Sequence, residues 1–152
     1  MFTRLAETPV HGSWASATTR LTSIDVQASA QGNGRRTVLL VEDDDDVREA
    51  VEQILTEEGF HVVAAPDGGV ALQILAEESH TFCTVILDVL MPGVDGAEFL
   101  TRARERLRSI PVLLFSASHL PGHLRDDPQV KDLIPKPVEV EVLLEKIRAH
   151  CG

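Results

Sequence analysis

The sequence predicts an α/β domain built as a doubly wound, five-stranded parallel sheet with helices on both faces. Three observations lead there. Short continuous apolar runs recur along the chain, as strands buried on both faces require. Stretches between them carry apolar residues at helical spacing. Acidic, hydroxyl and lysine residues follow the apolar runs, at the carboxyl ends of strands where open parallel sheets place their sites.

The elements follow in order. TVLLV (37–41) reads as the first strand. Val47, Ala50, Val51, Ile54 and Leu55 then share one helix face, with Asp45 or Asp46 expected to cap its start and Gly59 to stop it. FHVVAA (60–65) is a second strand closed by the turn signal PDGG, and Ala71, Leu72, Ile74 and Leu75 mark the next helix. CTVILDV (83–89) is the third strand, with MPGVDG as its loop. A helix through Phe99, Leu100, Ala103 and Leu107 comes next, and IPVLLFSAS (110–118) is the fourth strand. Pro121, Gly122 and Pro128 limit the following helix to a short or broken piece around His123–Asp127, since an interior proline costs about 3 kcal/mol. LIPKP offers a weak fifth strand, and Val140, Leu143, Leu144 and Ile147 face the last helix.

Bulk properties narrow the function. The formal net charge of −10 argues against direct binding to nucleic acid or an anionic membrane. No apolar run approaches the roughly 20 residues that span a bilayer. Cys83 and Cys151 have neither metal nor redox spacing, which favours a reducing, cytoplasmic setting. The acidity is uneven: only Glu7 and Asp25 precede Thr37, against Arg4, Arg20, Arg35 and Arg36. Residues 1–35, rich in Ser, Thr and Ala without periodicity, read as a disordered or poorly ordered extension, and 36–152 as the folded domain.

The expected strand ends gather a particular chemistry. Glu42 and Asp43 end the first strand, Asp88 the third, Ser116 the fourth, and Lys136 lies near the end of the fifth. Three carboxylates converging in one pocket repel one another strongly. As hard oxygen ligands they suit Mg²⁺, which offsets that repulsion. Asp44, Asp45 and Asp46 read instead as caps and solvated charges in the first helical turn, where they complement the macrodipole.

LLVEDD…VR, VILDVLMPGVDG, LLFSAS and IPKP resemble, in order and place, the receiver domain of two-component response regulators over about 37–150. The resemblance implies a flavodoxin-like sheet of order 2-1-3-4-5. It implies Mg²⁺-dependent phosphoryl transfer from a histidine kinase or histidine phosphotransfer protein onto Asp88. Glu42, Asp43, Asp88 and the backbone carbonyl of Leu90 would hold the metal, Ser116 would be the switch hydroxyl, and Lys136 would contact the phosphoryl group across a cis bond to Pro137. Such a module is not an enzyme beyond self-catalysed phosphotransfer and slow autodephosphorylation. It signals to a downstream protein partner, as a monomer or a weak phosphorylation-dependent dimer.

Three departures qualify the resemblance. Leu133 stands where members commonly carry an aromatic coupled to the switch hydroxyl. The segment 119–132 is broken by proline, so the usual dimer face is not assumed. Leu90 and Ser118 lie two residues beyond Asp88 and Ser116, where polar groups place attacking water in fast-hydrolysing members; a long-lived phospho-form is therefore expected. Ser118 also competes with Ser116 for the switch role. The ending shortly after His150 suggests a stand-alone receiver, although a fragment of a hybrid kinase would read alike. A degenerate receiver acting as a phosphorylation-independent docking module is the alternative. A haloacid-dehalogenase-like phosphatase is disfavoured because Asp88-Val89-Leu90 lacks a second acid two residues on.

Overall fold

In the computed structural model, which describes residues 36–117 and 120–152, the first apolar run forms β1 (Thr37–Val41), buried at every position. The extension 1–35 lies outside the described residues. There follow α1 (Asp45–Glu57), β2 (His61–Ala65), α2 (Gly68–Ala76), β3 (Phe82–Asp88), α3 (Gly96–Ala103), β4 (Val112–Ser116), α4 (Gly122–Arg125), β5 (Val130–Pro135) and α5 (Val140–Cys151). Every pairing is parallel, and the strand order is β2-β1-β3-β4-β5, as expected.

The sheet separates two apolar layers. Side chains alternate along a strand, so Leu39 and Val41 enter one layer while Val38 and Leu40 enter the other. The first is covered by Ala71 and Leu75 of α2 and by Phe99 and Leu100 of α3. The second is covered by Val51 and Leu55 of α1 and by Leu143 and Ile147 of α5. A continuous apolar strand needs cover on both faces, and the helices provide it. Among the described residues no helix is long and apolar enough to cross a membrane.

Several boundaries differ from expectation. The cap of α1 is Asp44, not Asp45 or Asp46: its backbone is extended and its carboxylate accepts a hydrogen bond from Val47 N at 3.1 Å. Asp45 and Asp46 are already helical, and only an extended residue can turn its side chain back onto the first orphan N–H groups. Asp44→Ala is therefore expected to cost about 1 kcal/mol in urea melts, while Asp46→Ala costs less than half of that. Equal losses would remove the cap from Asp44. Helix α3 stops at Ala103; Leu107 is still buried, but in the turns beyond. β5 starts at Val130, earlier than LIPKP suggested, because an edge strand tolerates Lys131 and Asp132. α4 is a single turn, as its prolines allow.

The cysteines also correct the reading from spacing. Cys83 and Cys151, 68 residues apart in sequence, are bonded, with their Cα atoms 5.2 Å apart. The bond joins the second residue of β3 to the last of α5.

Candidate functional site

Parallel register brings the carboxyl ends of the strands together. Val41 pairs with Leu87, and Asp88 with Phe115, so the residues after β1 and at the end of β3 emerge side by side. Glu42 is wholly buried; its N–H donates to Ala65 O at 3.1 Å, and its Oε1 accepts from Asp44 N at 3.1 Å. Asp43 reaches solvent beside it. Asp88 is buried, with Oδ1 accepting from Leu90 N at 3.2 Å. Carboxylate oxygens of Glu42, Asp43 and Asp88 lie within 4.8 Å of one another.

Lys136 enters from the end of the edge strand β5. Its Nζ sits 2.7 Å from Glu42 Oε2 and 3.4 Å from Asp88 Oδ2, over the Phe115 ring at 4.5 Å. The Lys136–Pro137 peptide is cis, and Lys136 N donates to Ser116 O at 2.9 Å. Ser116 ends β4, half-buried, in register with Pro135. Four predicted site residues therefore meet directly, and Ser116 stands on the neighbouring strand end. Leu90 places its N–H on Asp88 and leaves its side chain 70% exposed. Ser118, the competitor of Ser116, lies outside the described residues.

Reading by residue type missed Arg48. Its guanidinium donates to the main-chain carbonyl of Glu42 at 2.9 Å and pairs with Asp45, so α1 holds the acidic pair in place. The VR following the acids carried the signal; only a three-dimensional turn back to Glu42 gives it meaning. The loop after Asp88 is held from the other side by a close approach. A Cβ on Gly68, at the start of α2, would come within 2.6 Å of Val94 O, so only glycine lets that helix end meet the loop. Gly93 turns the same loop at φ +77°.

The departure at Leu133 leaves a visible space. Leu133, Leu114, Ser116, Leu120 and Arg125 line a cavity of about 630 Å³ between β4, β5 and α4. A large ring at that position would occupy part of it.

The electrostatics single out Asp88. Burial first, then the Glu42 charge and the adjacent Asp43 carboxyl, push its pKa up to about 7, against the opposing pull of Lys136. Burial alone would lower the Lys136 pKa, but its hydrogen bond and charge contact with Glu42 and its contacts with Asp88 raise it. One ammonium thus leaves the carboxylate trio under-neutralised. An all-oxygen donor set with excess negative charge fits a hard divalent cation such as Mg²⁺.

A pH dependence follows. An acid whose folded pKa exceeds its unfolded value binds more protons when folded, so stability falls as pH rises between those values. For Asp88 that window runs from 3.8 to about 7, and the ionised form destabilises the metal-free fold above it. Mg²⁺ is expected to raise Tm more at pH 8 than at pH 6, where it competes with a proton. Equal shifts in thermal melts at the two pH values would contradict this.

Residues 38–148 match the family model described as the response regulator receiver domain. Among curated relatives, the chain is 36% identical over 121 residues to the transcriptional regulatory protein AfsQ1 of Streptomyces coelicolor, covering 74% of this chain and 50% of that protein. It is 38% identical over 116 residues to the response regulator protein FleR of Pseudomonas aeruginosa, covering 75% of this chain and 24% of that protein. The chain spans half or less of the length of these relatives. Among solved structures, it is similar to the receiver domain of the hybrid histidine kinase CckA, with 34% identity, TM-score 0.65, and coverage of 76% and 99%. A CheY-like receiver domain protein from Methanospirillum hungatei matches with 31% identity, TM-score 0.68, and coverage of 78% and 95%.

Proposed function

Because this chain belongs to the response regulator receiver domain family, a family of signalling domains rather than conventional enzymes, we propose that it accepts a phosphoryl group on Asp88 in an Mg²⁺-dependent reaction. The donor is a histidine kinase or a histidine phosphotransfer protein. The observation that carries this reading is the meeting of Glu42, Asp43 and Asp88 within 4.8 Å, faced by one ammonium. The receiver domain corresponds to residues 36–152.

Glu42, Asp43 and Asp88, with the Leu90 carbonyl, are the residues that would hold Mg²⁺. When bound, the ion supplies positive charge to an incoming phosphoryl group. The chain's own groups do the rest. A carboxylate oxygen of Asp88 attacks phosphorus, the phosphorus–nitrogen bond to the donor imidazole breaks, and the imidazole leaves. Lys136, within 3.4 Å of Asp88, stabilises the charge on the transferred oxygens. The buried Glu42 holds that ammonium in place, and Arg48 holds Glu42. Ser116, at the adjacent strand end, takes a phosphoryl oxygen as a hydrogen-bond donor. The added charge of about −2 then redistributes the loops after β3 and β4 toward a downstream protein.

Leu90 offers no polar group to place an attacking water, so the acyl phosphate should persist. With a small-molecule phosphodonor and Mg²⁺, one phosphoryl adduct per chain is expected by mass spectrometry, abolished by chelator. After donor removal its decay should take many minutes. Adduct formation that ignores chelator would remove the metal from the reading, and decay within seconds would remove the role given to Leu90.

A further inference from the structure

The Cys83–Cys151 bond ties together the two elements that flank the site, at their ends remote from it. β3 runs from the bonded end to Asp88, five residue steps that span about 17 Å. α5 begins just after the Lys136–Pro137 loop and ends at Cys151. Leu143, Leu144 and Ile147 already bury this helix against β1, β3, β4 and β5. Beyond Ile147 the only buried position is Cys151, so it is the one apolar anchor of the last turn. Two polar ties accompany it: Arg148 with Glu58 is largely exposed, and His150 stands a long 3.8 Å from Asp132, so each contributes little.

We propose that Cys83 and Cys151 form a reversible thiol–disulfide switch. Oxidised, it clamps the last turn of α5 to the start of β3 and sets how long the fold persists; reduced, it releases that turn and leaves the strand-end site intact. The half-buried Cys83 is the more reachable partner, since Cys151 is only 6% exposed. The oxidant class is a small-molecule disulfide. The thiolate of Cys83 attacks one of its sulfurs, expelling one small thiol and leaving a mixed disulfide. Cys151, on losing its proton, attacks the Cys83 sulfur and expels the second thiol. Two protein thiols thus lose two protons and two electrons, and one small disulfide becomes two thiols.

The bond closes a loop of 68 residues, and closure of so long a loop restricts the unfolded chain strongly. The full chain is to be melted after dithiothreitol and after oxidised glutathione, with thiols titrated in each state. Expected are two titratable thiols and a Tm lower by roughly 8–15 °C on reduction, restored on reoxidation. Cys151→Ser should melt like the reduced protein and ignore reductant. Hydrogen exchange at 148–151 should accelerate on reduction by more than in α1, and the Mg²⁺-induced Tm shift should be the same in both states. A Tm insensitive to reductant, free thiols after glutathione treatment, or failure to reoxidise would overturn the proposal. So would a Mg²⁺ response lost on reduction, which would make the bond part of the site.

Discussion

Asp88→Asn is expected to abolish phosphoryl uptake from a small-molecule donor, a loss of at least about 100-fold, because the amide lacks a nucleophilic oxygen anion. The same change has a second, opposite effect. Removing the carboxylate relieves the repulsion among Glu42, Asp43 and Asp88, whose burial and neighbours raise the Asp88 pKa to about 7. The variant should therefore melt at a higher temperature than the parent at pH 8 without metal, and Mg²⁺ should raise its Tm less. Lost phosphorylation with higher metal-free stability is the signature of a group placed for chemistry at the expense of the fold. A variant that loses both would mean that Asp88 serves the fold.

Lys136→Met should produce the largest loss of stability among single substitutions at the site. The side chain keeps its apolar stem over Phe115, but Glu42, wholly buried, loses the ammonium 2.7 Å away. Stranding a buried charge costs about 3–5 kcal/mol. The lower end applies here, about 3 kcal/mol, because Lys136 itself keeps some contact with solvent. At pH 5, where Asp88 holds a proton, the deficit should shrink, and saturating Mg²⁺ at pH 8 should shrink it as well. Urea titrations under the three conditions measure this, and a constant deficit would show that the lysine acts through packing alone.

What the sequence makes legible follows from how strongly each residue's environment is dictated locally. The runs TVLLV and CTVILD are buried on both faces, so their apolarity is continuous and their ends are sharp; Glu42 and Asp88 could be placed from those ends. β5 lies at the sheet edge, where Lys131 and Asp132 dilute the pattern. There Asp132 pairs with Lys146, and although burial works against it, that hydrogen bond and the Leu133 amide hold its carboxyl below the usual range. Its start at Val130 is accordingly hidden in the sequence. The acidic run contains several adjacent candidates for the cap, and backbone conformation, not composition, selects Asp44. Arg48 and the cysteine pair were illegible for another reason. Their partners, the Glu42 carbonyl and a residue 68 positions away, are set by the fold and leave no trace in spacing.

The order in which the site residues occur along the chain has a consequence for biosynthesis. The anions come first and their lysine last, after β5. At roughly 5–20 residues per second, a ribosome delivers Lys136 several seconds after Asp88. During that interval the nascent chain carries every acid of the pocket and none of its internal counter-charge. Any folding intermediate that pairs β1 with β3 before Lys136 is in place would hold those acids together without their ammonium.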